Sequence, residues 1–233
     1  RDRDALERMV EHDIFARLRH ELFSHGQLDA ILSWHRPEDA IEWRLRHSLD
    51  VYMTRGEAEK MLMRAVKLGR PSLIAVGAKV GMGITQTLVR VLRETRRTYG
   101  GDLGLAVFWG GSSGRGVSTV AALRSVCRQV IVSCAPHLDD VVLPQDADGL
   151  MHALVAMLAE GSARAKKRLL VVFDAVDTLV GADRPWLPKE ADIPENCQVM
   201  FSFSEAPTRS NKMGTLLGSV GAAALLVGTI NKP

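Results

Sequence analysis

The sequence predicts an α/β fold in three layers, a mainly parallel sheet between two sets of helices, preceded by helical segments. Three observations carry this. Short apolar runs bounded by glycine, proline or charged residues recur along the chain, as buried parallel strands do. Stretches with helical apolar spacing separate these runs, and strand–helix alternation implies parallel pairing with right-handed crossovers. A glycine-rich turn joins the first strand directly to a helix.

The elements follow in order. From Asp4 to Phe23 the apolar residues Leu6, Met9, Val10, Ile14, Leu18 and Leu22 fall on one helical face. Gly26 ends that helix, and a second runs from Gln27 to about Leu49, broken or kinked near Pro37. A third helix spans about Gly56 to Leu68, closed by Gly69 and Pro71. The run Ser72 to Val76 reads as the first strand, and a helix from about Thr85 to Tyr99 follows the glycine-rich turn. A strand at Leu103 to Trp109, a glycine- and serine-rich loop and helices at Ser118 to Ser133 and Ala147 to Glu160 lead to the strand Leu169 to Phe173. The final strand is expected at Gln198 to Ser204.

The turn after the first strand reads Ala78-Lys-Val-Gly81-Met-Gly83-Ile84-Thr85, in the strand, loop and helix context that the phosphate loop GxxxxGK[ST] requires. This makes the expected fold that of P-loop NTPases. Glycines allow backbone N–H groups to turn toward phosphate oxygens, and the helix N-terminus adds its positive dipole. Gly81, Gly83, Ile84 and Thr85 are the expected nucleotide-contacting positions, with the Thr85 hydroxyl suited to Mg²⁺. The lysine that reaches the terminal phosphates is replaced by Ile84, and the loop's first glycine by Ala78 unless Gly77 substitutes. A charge-assisted hydrogen bond is worth about 1.5–3 kcal/mol, so the loss of the lysine weakens binding about ten- to a hundredfold. Lys79 is the one nearby cation that could reach back.

The strand Leu169 to Phe173 runs into Asp174, the carboxylate expected on the metal side, about ninety residues after the loop. An aspartate after an apolar strand also serves as a helix cap. Asp177 is the one candidate for a catalytic base, or caps the next helix. Thr178 follows it, where a water-polarising glutamate often sits.

Several segments together resemble the NACHT module of STAND-class NTPases, in particular the nephrocystin-like and tetratricopeptide-repeat branch. They are Asp50-Val-Tyr-Met-Thr-Arg55 with Glu57 and Leu62, Phe108-Trp-Gly-Gly-Ser112 with Ser118 and Leu123 to Cys127, and Trp186-Leu-Pro188 with Ile193-Pro194 and Val199 to Ser204. In that last strand the resemblance implies a sensor-like polar residue. Upstream, Arg3 to Leu6 and Phe15 to Arg19 resemble a helix of the small α/β domain that often precedes this module. Residues 1–49 are therefore expected to form a helical segment, a remnant of that domain or part of an incomplete one, and residues 50–233 the degenerate NACHT-like domain. The resemblance implies a nucleotide-gated switch in which ADP holds a closed state and ATP permits assembly. The departures at Ala78, Ile84, Phe108 and Thr178 point instead to a pseudo-NTPase that scaffolds protein partners, with no cofactor or weakly bound ATP or ADP with Mg²⁺. The alternative is an ATP/ADP switch with weak hydrolysis. The nephrocystin-like branch also implies a cilium or flagellum as the setting.

Composition bounds the rest. With 46% hydrophobic and 24% charged residues, 233 residues can bury one α/β core with a small appendage. The formal charge of +3 comes from 30 basic and 27 acidic residues that are interspersed, which does not demand nucleic acid. Cys127, Cys134 and Cys197 have neither disulfide-framework nor zinc spacing and suit a reducing, cytoplasmic compartment. No run of about twenty apolar residues is present, so a membrane span is not expected. The first residues carry no signal-like pattern and the chain reads as a piece of something longer. The seven histidines lack ligand spacing, the block Arg164 to Arg168 reads as a solvated loop or a contact for an acidic partner, and Trp186 as packing a loop onto the sheet edge.

Overall fold

The computed structural model describes residues 56–79, 81–110, 117–134, 141–181, 186–204 and 223–226. The helices expected within residues 4–49, and the Asp50 to Arg55 segment, lie outside the described residues. The elements run α1 (Gly56–Leu68), β1 (Leu73–Ala78), α2 (Ile84–Tyr99), β2 (Leu103–Trp109), α3 (Thr119–Cys134), α4 (Ala147–Ala165), β3 (Arg168–Asp174), β4 (Cys197–Ser204) and β5 (Ala223–Leu226). The strands form one parallel sheet in the order β2-β3-β4-β1-β5.

Side chains alternate across the strands and so fill two cores. Leu73, Ala75, Leu169, Val171, Phe173, Val199 and Phe201 pack under α3 and α4, with Leu123, Val130, Leu154 and Leu158. Ile74, Val76, Leu170, Val172 and Met200 pack under α1 and α2, with Leu62, Val66, Leu88 and Leu92. The helix leaving β1 and the helices joining β2 to β3 thus cover opposite faces of the sheet. This is a P-loop NTPase-like three-layer fold.

Local sequence explains where the helices stop. α1 carries Glu57 and Glu59 in its first turn and Lys67 in its last, as the helix dipole favours, and Gly69 (φ 69°) donates its N–H to the Ala65 and Val66 carbonyls. α4 begins where the Asp146 carboxylate accepts the Gly149 N–H at 2.7 Å. It runs on to Ala165, five residues beyond the expected end at Glu160: Gly161 is kept within the helix, packed close to Cys134 and Leu169, and the helix ends where Lys166 adopts a left-handed conformation.

Three expectations are corrected. Gln198 to Ser204 is not the last strand, since β5 pairs with the outer side of β1. β1 extends two residues past Val76, so Ala78 sits in the strand, buried, and not in the turn. Trp186 packs on the sheet face and not its edge: its ring meets Phe173 edge-on at 5.3 Å between centroids.

β2 lies at the other margin of the sheet, and its outer edge is closed by a side chain. Gln129 of α3, 3% exposed, accepts the Val107 N–H at 2.7 Å and donates to the Val107 carbonyl at 2.9 Å. One amide thus occupies both backbone groups of Val107, through which an added strand would pair at that position. No helix among the described residues is long and apolar enough to cross a membrane.

Candidate functional site

The turn between β1 and α2 is shaped by its glycines. Gly81 (φ 81°) and Gly83 (φ 69°, ψ 38°) both lie in the left-handed region, and the Met82 N–H closes a turn on the Lys79 carbonyl at 3.1 Å. α2 then starts at Ile84 with no side chain capping its first turn, so a helix N-terminus without a side-chain cap follows the carboxyl end of β1. The intrahelical ladder begins with the Thr87 N–H on the Gly83 carbonyl, at 3.1 Å.

Thr85 and Asp174, separated by 89 residues in sequence, meet here. The Thr85 hydroxyl donates to Asp174 Oδ2 at 2.8 Å. β4 lies between β1 and β3, so the carboxylate at the end of β3 reaches past one strand to the start of α2. Asp174 is 1% exposed. Its other oxygen, Oδ1, accepts the Ser202 hydroxyl at 2.6 Å, and Ser202 Oγ accepts the Ala175 N–H at 2.9 Å. A chain of hydrogen bonds therefore links the first turn of α2, the end of β3 and the middle of β4. The resemblance implies a sensor-like polar residue in Val199 to Ser204 without selecting Ser202, which lies amid the buried run of β4, opposite Val76 of β1.

The turn that follows β3 is unusually tight for its residues. Ala175 has φ 55°, a conformation that costs an L-residue roughly 1–2 kcal/mol. Val176 to Thr178 then form one 3₁₀ turn. Asp177 accepts the Ser204 N–H at 3.1 Å and so fastens this turn to the end of β4; among the described residues it lies inside the 3₁₀ turn and does not precede an α-helix that it could cap. Thr178 donates to the Ala175 carbonyl at 2.7 Å, with the Gly110 carbonyl at 3.4 Å. Its hydroxyl braces the turn and supplies no carboxylate. Gly110 fits because a Cβ there would lie 2.5 Å from the Asp174 carbonyl oxygen.

Ile84 stands where a phosphate-binding lysine would begin. It is half-buried and, with Met82, packs against the core beneath α1 and α2. Lys79 is exposed. The cysteines take no part in the site: burial pushes the Cys127 thiol up to about 12 and the Cys197 thiol up to about 11, and raises Cys134 as well. Among the described residues no group of three His, Cys, Asp or Glu side chains could hold a metal by itself.

No protein-family model matches the chain, and no curated protein does. Among solved structures it is similar to that of Drosophila ORC bound to AT-rich DNA and Cdc6, with a TM-score of 0.44 and 13% identity over 76% of this chain. The match spans 58% of the length of that chain.

Proposed function

We propose that this chain is a degenerate P-loop module, a pseudo-NTPase that binds Mg²⁺-nucleotide weakly or not at all and serves as a protein-interaction scaffold in a larger assembly. The observation that carries the reading is the seat of Ile84. At the position from which a cation would reach the terminal phosphates, an apolar side chain packs into the core with Met82. The loop keeps its glycine geometry while its central electrostatic contact is gone.

The donor set fits one half of a Mg²⁺-nucleotide site. Thr85 and Asp174 offer hard oxygen ligands of the kind Mg²⁺ prefers, and the uncapped N–H groups of α2 suit phosphate oxygens. A bound Mg²⁺ would neutralise phosphate charge there. For hydrolysis the fit fails, since Ile84 offers no charge and Thr178 is turned onto backbone carbonyls. The NACHT resemblance supports the same assignment at family level and is the ground for an axonemal setting, which localisation of the full-length protein tests.

One observation favours a second reading, a switch with weak hydrolysis. The hydroxyl of Thr85 is bound to Asp174 directly, so a metal entering between them would break that bond and act on Ser202 and the Ala175 turn through it. Titration with fluorescent ATP and ADP, with and without Mg²⁺, separates the two. Binding weaker than millimolar supports the scaffold, whereas micromolar, Mg²⁺-dependent binding that discriminates ATP from ADP supports the switch.

A further inference from the structure

The outer surface of α1 and α2 is built as two lanes of different chemistry. The two helices lie side by side on one face of the sheet and run in the same direction. Arg90 of α2 pairs with Glu59 of α1, and the Tyr99 hydroxyl donates to the Lys67 carbonyl at 3.5 Å, contacts 31 and 32 residues apart in sequence. Residues 59 to 67 of α1 therefore run alongside residues 90 to 99 of α2.

On α1 the exposed residues Glu57, Lys60, Met61, Arg64, Lys67 and Leu68 fall within an arc of roughly 120° at the helical repeat. Within that arc Lys60, Arg64 and Lys67 occupy the side nearer Glu59, hence nearer α2. Met61 and Leu68 occupy the far side, 48% and 64% exposed, two turns apart and on one line. Arg93 and Arg97 are exposed on α2.

The carboxylates on this surface are already engaged. Glu57 pairs with Lys60 at 3.2 Å, Glu94 with Arg97 at 3.1 Å and Glu59 with Arg90. Arg64, Lys67 and Arg93 are left without a carboxylate among the described residues, three positive charges on one face of a chain whose formal total is +3. A lane of uncompensated cations bordered by a lane of exposed apolar side chains complements a ligand with both features on adjoining faces. A phosphodiester backbone matches only the first lane.

We infer that the α1–α2 surface is a docking face for an acidic amphipathic helix of a partner protein. The carboxylates of that helix lie over Arg64, Lys67 and Arg93, and its apolar edge lies against Met61 and Leu68. This deepens the scaffold reading and rests on it, since a scaffold needs a face that partners recognise.

The test uses the whole chain and three defined probes in fluorescence anisotropy: a labelled helical peptide with glutamates along one face and leucines beside them, a shuffled peptide of the same composition, and a short DNA duplex. The patterned peptide is expected to bind about tenfold or more tightly than the shuffled one, and more tightly than DNA. R64E/K67E/R93E and M61S/L68S are each expected to weaken it about tenfold or more, with circular dichroism showing that both variants remain folded. Equal binding of patterned and shuffled peptides, tighter binding of DNA, absence of binding, or indifference to both variants would overturn the assignment. So would a dimer in sedimentation that the charge reversal dissolves, which makes the occupant a second copy. Hydrolysis of ATP at an enzymatic rate by the same preparation would refute the scaffold reading separately, whatever the peptides do.

Discussion

Replacing Ile84 with lysine changes two free energies that can be measured on one preparation. The ammonium would recover charge-assisted hydrogen bonds to terminal phosphate oxygens, about 1.5–3 kcal/mol, so the dissociation constant for Mg²⁺-ATP falls about ten- to a hundredfold. The same change removes an isoleucine that is half-buried against the core beneath α1 and α2. Full burial of such a side chain is worth about 1.5–3 kcal/mol, and the lysine stem keeps part of the contact, so I84K loses about 1 kcal/mol of stability. For a chain of this size that lowers the melting temperature by roughly 2–4 °C without ligand. Calorimetry with Mg²⁺-ATP gives the affinity, and scanning calorimetry without and with nucleotide gives both shifts. With nucleotide at a hundred times the new dissociation constant, about 2.7 kcal/mol is regained and I84K melts above its own apo form. Turnover is expected to stay slow, because Thr178 still offers no carboxylate. An unchanged affinity in a folded I84K protein would refute the reasoning, for the backbone of the loop would then be unable to accept phosphate even with its cation restored.

Other perturbations test the neighbouring geometry. A175G should raise the unfolding free energy measured in urea slightly, by about 0.5 kcal/mol, because relief of the left-handed strain outweighs the added freedom of the unfolded chain; a clear loss of stability would show that the turn is not strained. Q129L should cost about 2 kcal/mol or more in chemical denaturation, since both Val107 backbone groups lose their partner; a neutral result would mean that water replaces the amide. G110A should destabilise by about 1–3 kcal/mol, as its Cβ meets backbone at the end of β3 and the backbone cannot yield as a side chain does. The raised Cys127 and Cys197 thiols make the folded state the tighter proton binder. Their contribution is thus intact below about pH 9 and lost as pH rises toward about 11 for Cys197 and about 12 for Cys127. C127A should flatten that alkaline decline in unfolding free energy, and an unaltered slope would assign it elsewhere.

Much of the sheet is legible in the sequence because parallel strands are buried on both faces and so announce themselves as unbroken apolar runs, as at Leu169 to Phe173. The loop is legible because left-handed turns need glycine, and Gly81 and Gly83 stand where they are needed. The meeting of Thr85 and Asp174 follows from strand-end chemistry and spacing. Ser202 and Gln129 could not be found this way. Ser202 stands between two phenylalanines and Gln129 beside Arg128, and the meaning of each lies in a partner 28 or 22 residues away that only the fold brings near. β5 is not legible as the last strand because its short glycine-bounded apolar run, Ala222 to Val227, carries no sign of which strand it joins; pairing to β1 decides it. The α1–α2 lanes were half visible, since helical spacing gives the faces of each helix but not which helices adjoin.

Steady-state hydrolysis of Mg²⁺-ATP by the unmodified chain, run beside T85A and D174A, tests the central claim most directly. Phosphate release is expected to be no faster than the buffer blank, with three indistinguishable traces. Turnover at about 1 s⁻¹ or faster, abolished in both variants, would contradict it and establish a working NTPase without the lysine.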